Sequence, residues 1–112
     1  MVKSIFPFLL LFIPFRSHAQ KVYSVLYESQ ADVKVYVVKY ESQADLKVFK
    51  VPYESQAKDG AGNWFFTKYP GQADKKIFFV SYEGQADLKI FFVKYPSQAG
   101  WRKREKQGVV EN

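Results

Sequence analysis

Tyr27-Glu28-Ser29-Gln30-Ala31-Asp32 decides how this chain is read, because the same hexapeptide returns along it with small edits. It recurs from Tyr40 to Asp45 and as Tyr53-Glu54-Ser55-Gln56-Ala57-Lys58. After an insertion it returns as Tyr69-Pro70-Gly71-Gln72-Ala73-Asp74, Tyr82-Glu83-Gly84-Gln85-Ala86-Asp87 and Tyr95-Pro96-Ser97-Gln98-Ala99-Gly100. The tyrosines step by 13, 13, 16, 13 and 13 residues. A fixed period of this kind marks a repeat architecture.

Between the hexapeptides lie runs of β-branched and aromatic residues: Lys21 to Tyr27, Lys34 to Tyr40, Lys47 to Tyr53, Trp64 to Tyr69, Lys76 to Tyr82 and Lys89 to Tyr95. Each is bounded by turn formers, so each reads as a strand. Val35-Tyr36-Val37-Val38 and Ile90-Phe91-Phe92-Val93 are apolar on both faces, as in strands covered on both sides. The connectors are too long for a two-residue hairpin and too short for a helical crossover. The strands are therefore not expected to form an ordinary open sheet in sequence order. A connector has room for one helical turn, with Ser and Asp oxygens offered to free backbone N–H groups.

The expected fold is all-β, one domain of six repeats of about 13 residues, divided three and three by the glycine-rich bend Lys58 to Asn63. In each half the third copy loses its Asp and soon meets a Trp: Lys58 with Trp64, Gly100 with Trp101.

Residues 1–19 read as a signal peptide. Lys3 supplies a basic start, Ser4 to Phe15 an apolar run too short to span a membrane, and Ser17-His18-Ala19 a small-x-small cleavage site. Export to the periplasm or the medium is expected, with a domain over residues 20–104 and a flexible charged tail over 105–112. No Cys is present, which excludes disulfides, thiolate metal sites and thiol nucleophiles. The sequence carries 17 Lys and Arg against 11 Asp and Glu. Removing Lys3 and Arg16 with the signal leaves 15 against 11, a mild excess partly held by Arg102, Lys103, Arg104 and Lys106. That excess suits solubility and a solvated tail better than contact with an anionic cell-surface polymer or lipid, and it is too mild to point to nucleic acid.

The units from Tyr27 onward, the segment Trp64 to Val80 and the closing Ser97-Gln98-Ala99-Gly100-Trp101-Arg102 resemble the septoil-knot domains, small bacterial proteins whose backbone carries a seven-crossing knot. The resemblance covers about residues 21–104. It implies a compact, β-rich, deeply knotted domain and brings no catalytic or ligand-binding residues, although true knots are nearly absent from proteins. A chain that circles a ring twice, three units per circuit, would lay each unit of the first half beside its counterpart in the second. Tyr27 would then neighbour Tyr69, Tyr40 would neighbour Tyr82, and Tyr53 would neighbour Tyr95.

Candidate chemistry is sparse. Gln30, Gln43, Gln56, Gln72, Gln85 and Gln98 read as structural amides pairing buried backbone groups where connectors cross, and the alanines after them as small residues at those crossings. The repeated acids (Glu28, Glu41, Glu54 and Glu83 with Asp32, Asp45, Asp74 and Asp87) read as caps and turns. His18 is the only imidazole and lies in the signal, so Ser-His-Asp chemistry is absent. No metal, cofactor or catalytic residue is expected. Phe78, Phe79, Phe91 and Phe92 read as core. Trp64 and Trp101, with Arg102, are the candidate ligand contacts. The function expected is that of a non-enzymatic, monomeric protein of the cell envelope, contacting an envelope polymer or protein. The alternative is a carbohydrate-binding module built on the two tryptophans.

Overall fold

The computed structural model describes residues 20–59 and 61–111, so the expected signal peptide lies outside the described residues. Six parallel strands form the body: β1 (Gln20–Ser24), β2 (Val33–Val37), β3 (Leu46–Lys50), β4 (Asn63–Phe66), β5 (Lys75–Phe79) and β6 (Leu88–Phe92). Their order is β4-β1-β5-β2-β6-β3, and a further β3–β4 ladder closes the sheet into a barrel. Every strand of the first half is flanked on both sides by strands of the second. The expected pairing of counterparts holds at the level of strands: β1 with β4, β2 with β5, β3 with β6.

Register explains how parallel strands manage with such short connectors. Ile77 pairs with Ser24 on one side and Val33 on the other. The chain thus leaves β1 and enters β2 level with a single residue of β5. Those two points are two strand spacings apart, roughly 10 Å, which residues 25–32 span easily. Ile90 stands in the same way between Val37 and Leu46, and Val22 between Phe66 and Lys75. Each connector lies against the strand it passes: Glu28–Gln30 on β5, Pro70–Gln72 on β1, Glu83–Gln85 on β2, Glu41–Gln43 on β6 and Pro96–Gln98 on β3. The barrel wall is therefore covered inside by the core and outside by straps, which is why its strands read as apolar on both faces.

The all-β expectation is corrected here. Every connector contains a 3₁₀ turn, and an α-helix, α1 (Gln107–Glu111), follows the barrel. The hexapeptide forms the turn because its backbone closes on itself. Gln30 N–H donates to Tyr27 O at 3.0 Å and Ala31 N–H to Glu28 O at 3.1 Å, and the same bonds recur at Gln43 and Ala44, Gln85 and Ala86, Gln98 and Ala99. These turns also claim the ends of the expected strands, so β2 stops at Val37 rather than Tyr40. A seventh strand, β7 (Gly100–Trp101), runs antiparallel to β3.

Alternation inside the barrel supplies the core. Val22, Val33, Val35, Leu46, Val48, Trp64, Ile77, Leu88 and Ile90 are buried together, with Phe66, Phe79 and Phe92 packed against them. Fully burying such side chains stabilises by about 1.5–3 kcal/mol each. Lys50 lies over the rings of Phe66 and Phe92, 5.1 and 5.0 Å from their centroids. Residues 105–111 differ from the expected flexible tail. Arg104–Lys106 form a 3₁₀ turn, α1 follows, and Val110 joins the core at 2% exposure.

Candidate functional site

The repeated polar residues do their work on the outer wall, in roles the sequence had misassigned. Each Asp bridges two strands rather than capping a turn. Asp32 N–H donates to Lys76 O, while Lys76 N–H donates to Asp32 Oδ2 at 2.8 Å. Asp45 makes the same reciprocal pair with Lys89, Asp74 with Lys21 and Asp87 with Lys34. A carboxylate is suited to this because it accepts a backbone N–H at the point where a ladder would otherwise end. The glutamines, by contrast, are not buried at crossings. All are exposed except the half-buried Gln56, whose Oε1 accepts from Tyr53 N–H. The alanines are closer to expectation, with Ala44 and Ala57 fully covered.

The clamps differ in burial. Asp45 is 1% exposed, and its backbone carbonyl also accepts from Arg102 and Lys103 N–H. Asp45→Ala leaves the Lys89 N–H without its acceptor in a covered site and is expected to lower stability by about 1–3 kcal/mol. Asp32→Ala, at an exposed position, is expected to lower it by less. Urea midpoints of the two variants check this, and equal losses would refute the role given to burial.

Glutamates of the turns pair with lysines six residues on. Glu28 reaches Lys34 at 3.5 Å, Glu41 reaches Lys47 at 3.4 Å and Glu83 reaches Lys89 at 3.3 Å. Glu54 pairs instead with Lys21 at 3.4 Å. Between two straps of this wall lies an open groove of ≈ 710 Å³, lined by Tyr23, Leu26, Tyr27, Gln30, Pro70 and Lys76. Leu26 is 81% exposed and Tyr27 65%.

A comparison with known families matches residues 19–102 to the 7(1) septoil knot domain. The chain belongs to that family. No curated protein and no solved structure matches it.

This septoil knot domain does not bring its expected ligand contacts to one surface. Trp64 is 1% exposed, at the barrel position taken by Ile77 and Ile90 in the next two units, so it offers no face to a sugar. Trp101 is half-buried against the core through β7. Arg102 Nη1 donates to Ser42 O and Ala44 O, holding the closing segment to the second connector. The carbohydrate reading on Trp64 and Trp101 loses its support. Among the described residues the exposed aromatics are instead the six hexapeptide tyrosines, Tyr27, Tyr40, Tyr53, Tyr69, Tyr82 and Tyr95. A signal for this was present: each tyrosine opens a polar turn, outside the strand's alternation. Among the described residues no group of His, Asp or Glu is arranged to hold a metal ion, and no helix is long and apolar enough to cross a membrane.

Proposed function

We propose that this septoil knot domain is a non-enzymatic, monomeric structural and binding protein of the cell envelope, exported by residues 1–19 and valued for slow unfolding. Its hexapeptide serves as the structural signature of the knotted wall. The observation that carries the reading is the interleaving of two circuits in one closed barrel. No first-half strand leaves without breaking a ladder on each side, and a knotted chain must also be unthreaded. Kinetic stability of that kind suits a protease-rich compartment. Export is supported by the apolar run Ser4 to Phe15 and by Ser17-His18-Ala19.

Unfolding rates in guanidinium, extrapolated to water, test the first half. A rate below about 10⁻⁶ s⁻¹, the slow end for small domains, is expected. A rate near 10⁻⁴ s⁻¹ or faster, ordinary for small domains, would remove the argument. Expression of the full chain followed by fractionation tests export, with the envelope form expected to begin at Gln20. Full-length protein retained in the cytoplasm would exclude it.

A further inference from the structure

The groove on the outer wall holds a lysine that the ion-pair pattern of the described residues leaves without an acid. In the turns that begin Glu28, Glu41 and Glu83, the first residue of the turn holds the lysine six positions on. In the fourth unit that first residue is Pro70, and the lysine six positions on is Lys76. Lys76 is half-buried, and its backbone is fixed at both ends by Asp32. Among the described residues its ammonium has no acid partner. Lys21, Lys34, Lys47 and Lys89 on the same wall all have one.

A second departure falls at the same place. The residue before each hexapeptide tyrosine is Lys39, Pro52, Lys68, Ser81 or Lys94 in the other units, but Leu26 here. Leu26 and Tyr27 thus set exposed apolar surface beside the unpaired cation. Gly71 opens the facing strap, since a Cβ there would meet nothing within 4 Å. Gln30 lines the same groove and carries an amide able to donate and accept.

We propose that this groove binds an acidic peptide segment, in which a glutamate side chain takes the place of the missing turn glutamate on Lys76 and a neighbouring apolar side chain packs on Leu26 and Tyr27. The inference rests on the binding role proposed above and gives it a partner class. Charge complementarity selects the carboxylate, because the wall's own pattern supplies an acid to the other lysines of the lattice and leaves this one without. Leu26 favours a peptide over a sugar, which would stack on Tyr27 but gain little from an aliphatic side chain. The Gln30 amide suits a peptide backbone, which presents both N–H and C=O groups.

The test is titration of the ¹⁵N-labelled protein with acetyl-Leu-Glu-amide, against acetyl-Leu-Gln-amide and glucuronic acid. Shifts are expected at Tyr23, Leu26, Tyr27, Gln30, Gly71 and Lys76, with none at the equivalent Tyr36, Tyr40 and Lys89. Lys76→Gln is expected to weaken binding by about tenfold, the scale of one charge-assisted hydrogen bond. Pro70→Glu, which restores the pattern of the other turns, is expected to do the same by occupying Lys76 internally. Glutamate already stands at that turn position in four units, so the variant keeps the fold. Leu26→Ser, the residue the fifth unit carries there as Ser81, is expected to weaken the peptide while leaving the spectrum elsewhere unchanged. Equal binding of the glutamine peptide, shifts spread over all the straps, unaltered affinity of Pro70→Glu, or preferential binding of glucuronic acid would each overturn the proposal. The unfolding rate is measured without ligand, so failure of this site and failure of the kinetic-stability reading are told apart.

Discussion

Gly62→Ala is expected to produce the largest loss of any single-methyl change, on the order of 3 kcal/mol or more, enough to prevent folding of a marginal domain. Gly62 has φ of +91°, a region an L side chain rarely adopts. A Cβ added there would lie 2.5 Å from Lys47 O, 2.9 Å from Gly100 N and 3.2 Å from the Ala99 Cβ. Two of those neighbours are backbone, so neither moves away by changing rotamer. They are also the chains that meet at the barrel's seam. β4 begins at Asn63 and pairs with β3 through Phe49 and Lys50. The start of β3 is completed by β7, through Leu46 with Trp101 and Lys47 with Gly100. Crowding Gly62 pushes all three apart. Circular dichroism and urea unfolding of Gly62→Ala, with Gly71→Ala as control, check the prediction. Since Gly71 faces open space, equal effects would show that steric crowding at the seam is not the cause.

Trp64→Ala is expected to cost about 3–5 kcal/mol, the range for deleting a buried large aromatic side chain. Trp64 fills an interior position whose counterparts are Ile77 and Ile90, so one unit contributes most of the volume there. Its ring also meets Phe66, with centroids 6.3 Å apart and planes tilted by 54°. Trp64→Phe is expected to lose much less, about 1 kcal/mol. It keeps an aromatic ring and removes the indole N–H, which has no partner among the described residues. Equilibrium unfolding of both variants measures the difference. Near-equal stability of Trp64→Ala and the parent chain would contradict the place of this residue in the core.

The burial of Trp64 shows why a departure from the repeat is ambiguous in sequence. Trp64 and Trp101 stand where the repeat breaks, which drew attention to them as ligand contacts. A break in a repeat also marks the seam of a closed ring, where the two circuits join and geometry differs from the other units. Trp64 fills the barrel beside that seam, and β7 with Trp101 completes β3. Sequence alone offered no way to tell a binding feature from a closure feature, because both appear as departures from period. The tail was missed for a related reason. Val109 and Val110 are too few to make a periodic pattern, yet they suffice to meet a core whose surface is already formed.

The sequence by itself determined the units. Hydrophobic runs of short period set where strands form, and Tyr-Glu-Ser-Gln set where the chain turns, because both depend on residues near one another in the chain. It also determined the division into three and three, through the single insertion at Lys58 to Asn63. Only the tertiary structure decided what each polar residue does. Asp32 meets Lys76, Asp45 meets Lys89, and among the described residues Lys76 lacks the acid that Lys34 and Lys89 have, through contacts between chain segments brought level by barrel closure. The register Ser24–Ile77–Val33 fixes those meetings. It is set by how six tilted strands share one core, a condition on the whole ring that no single repeat encodes.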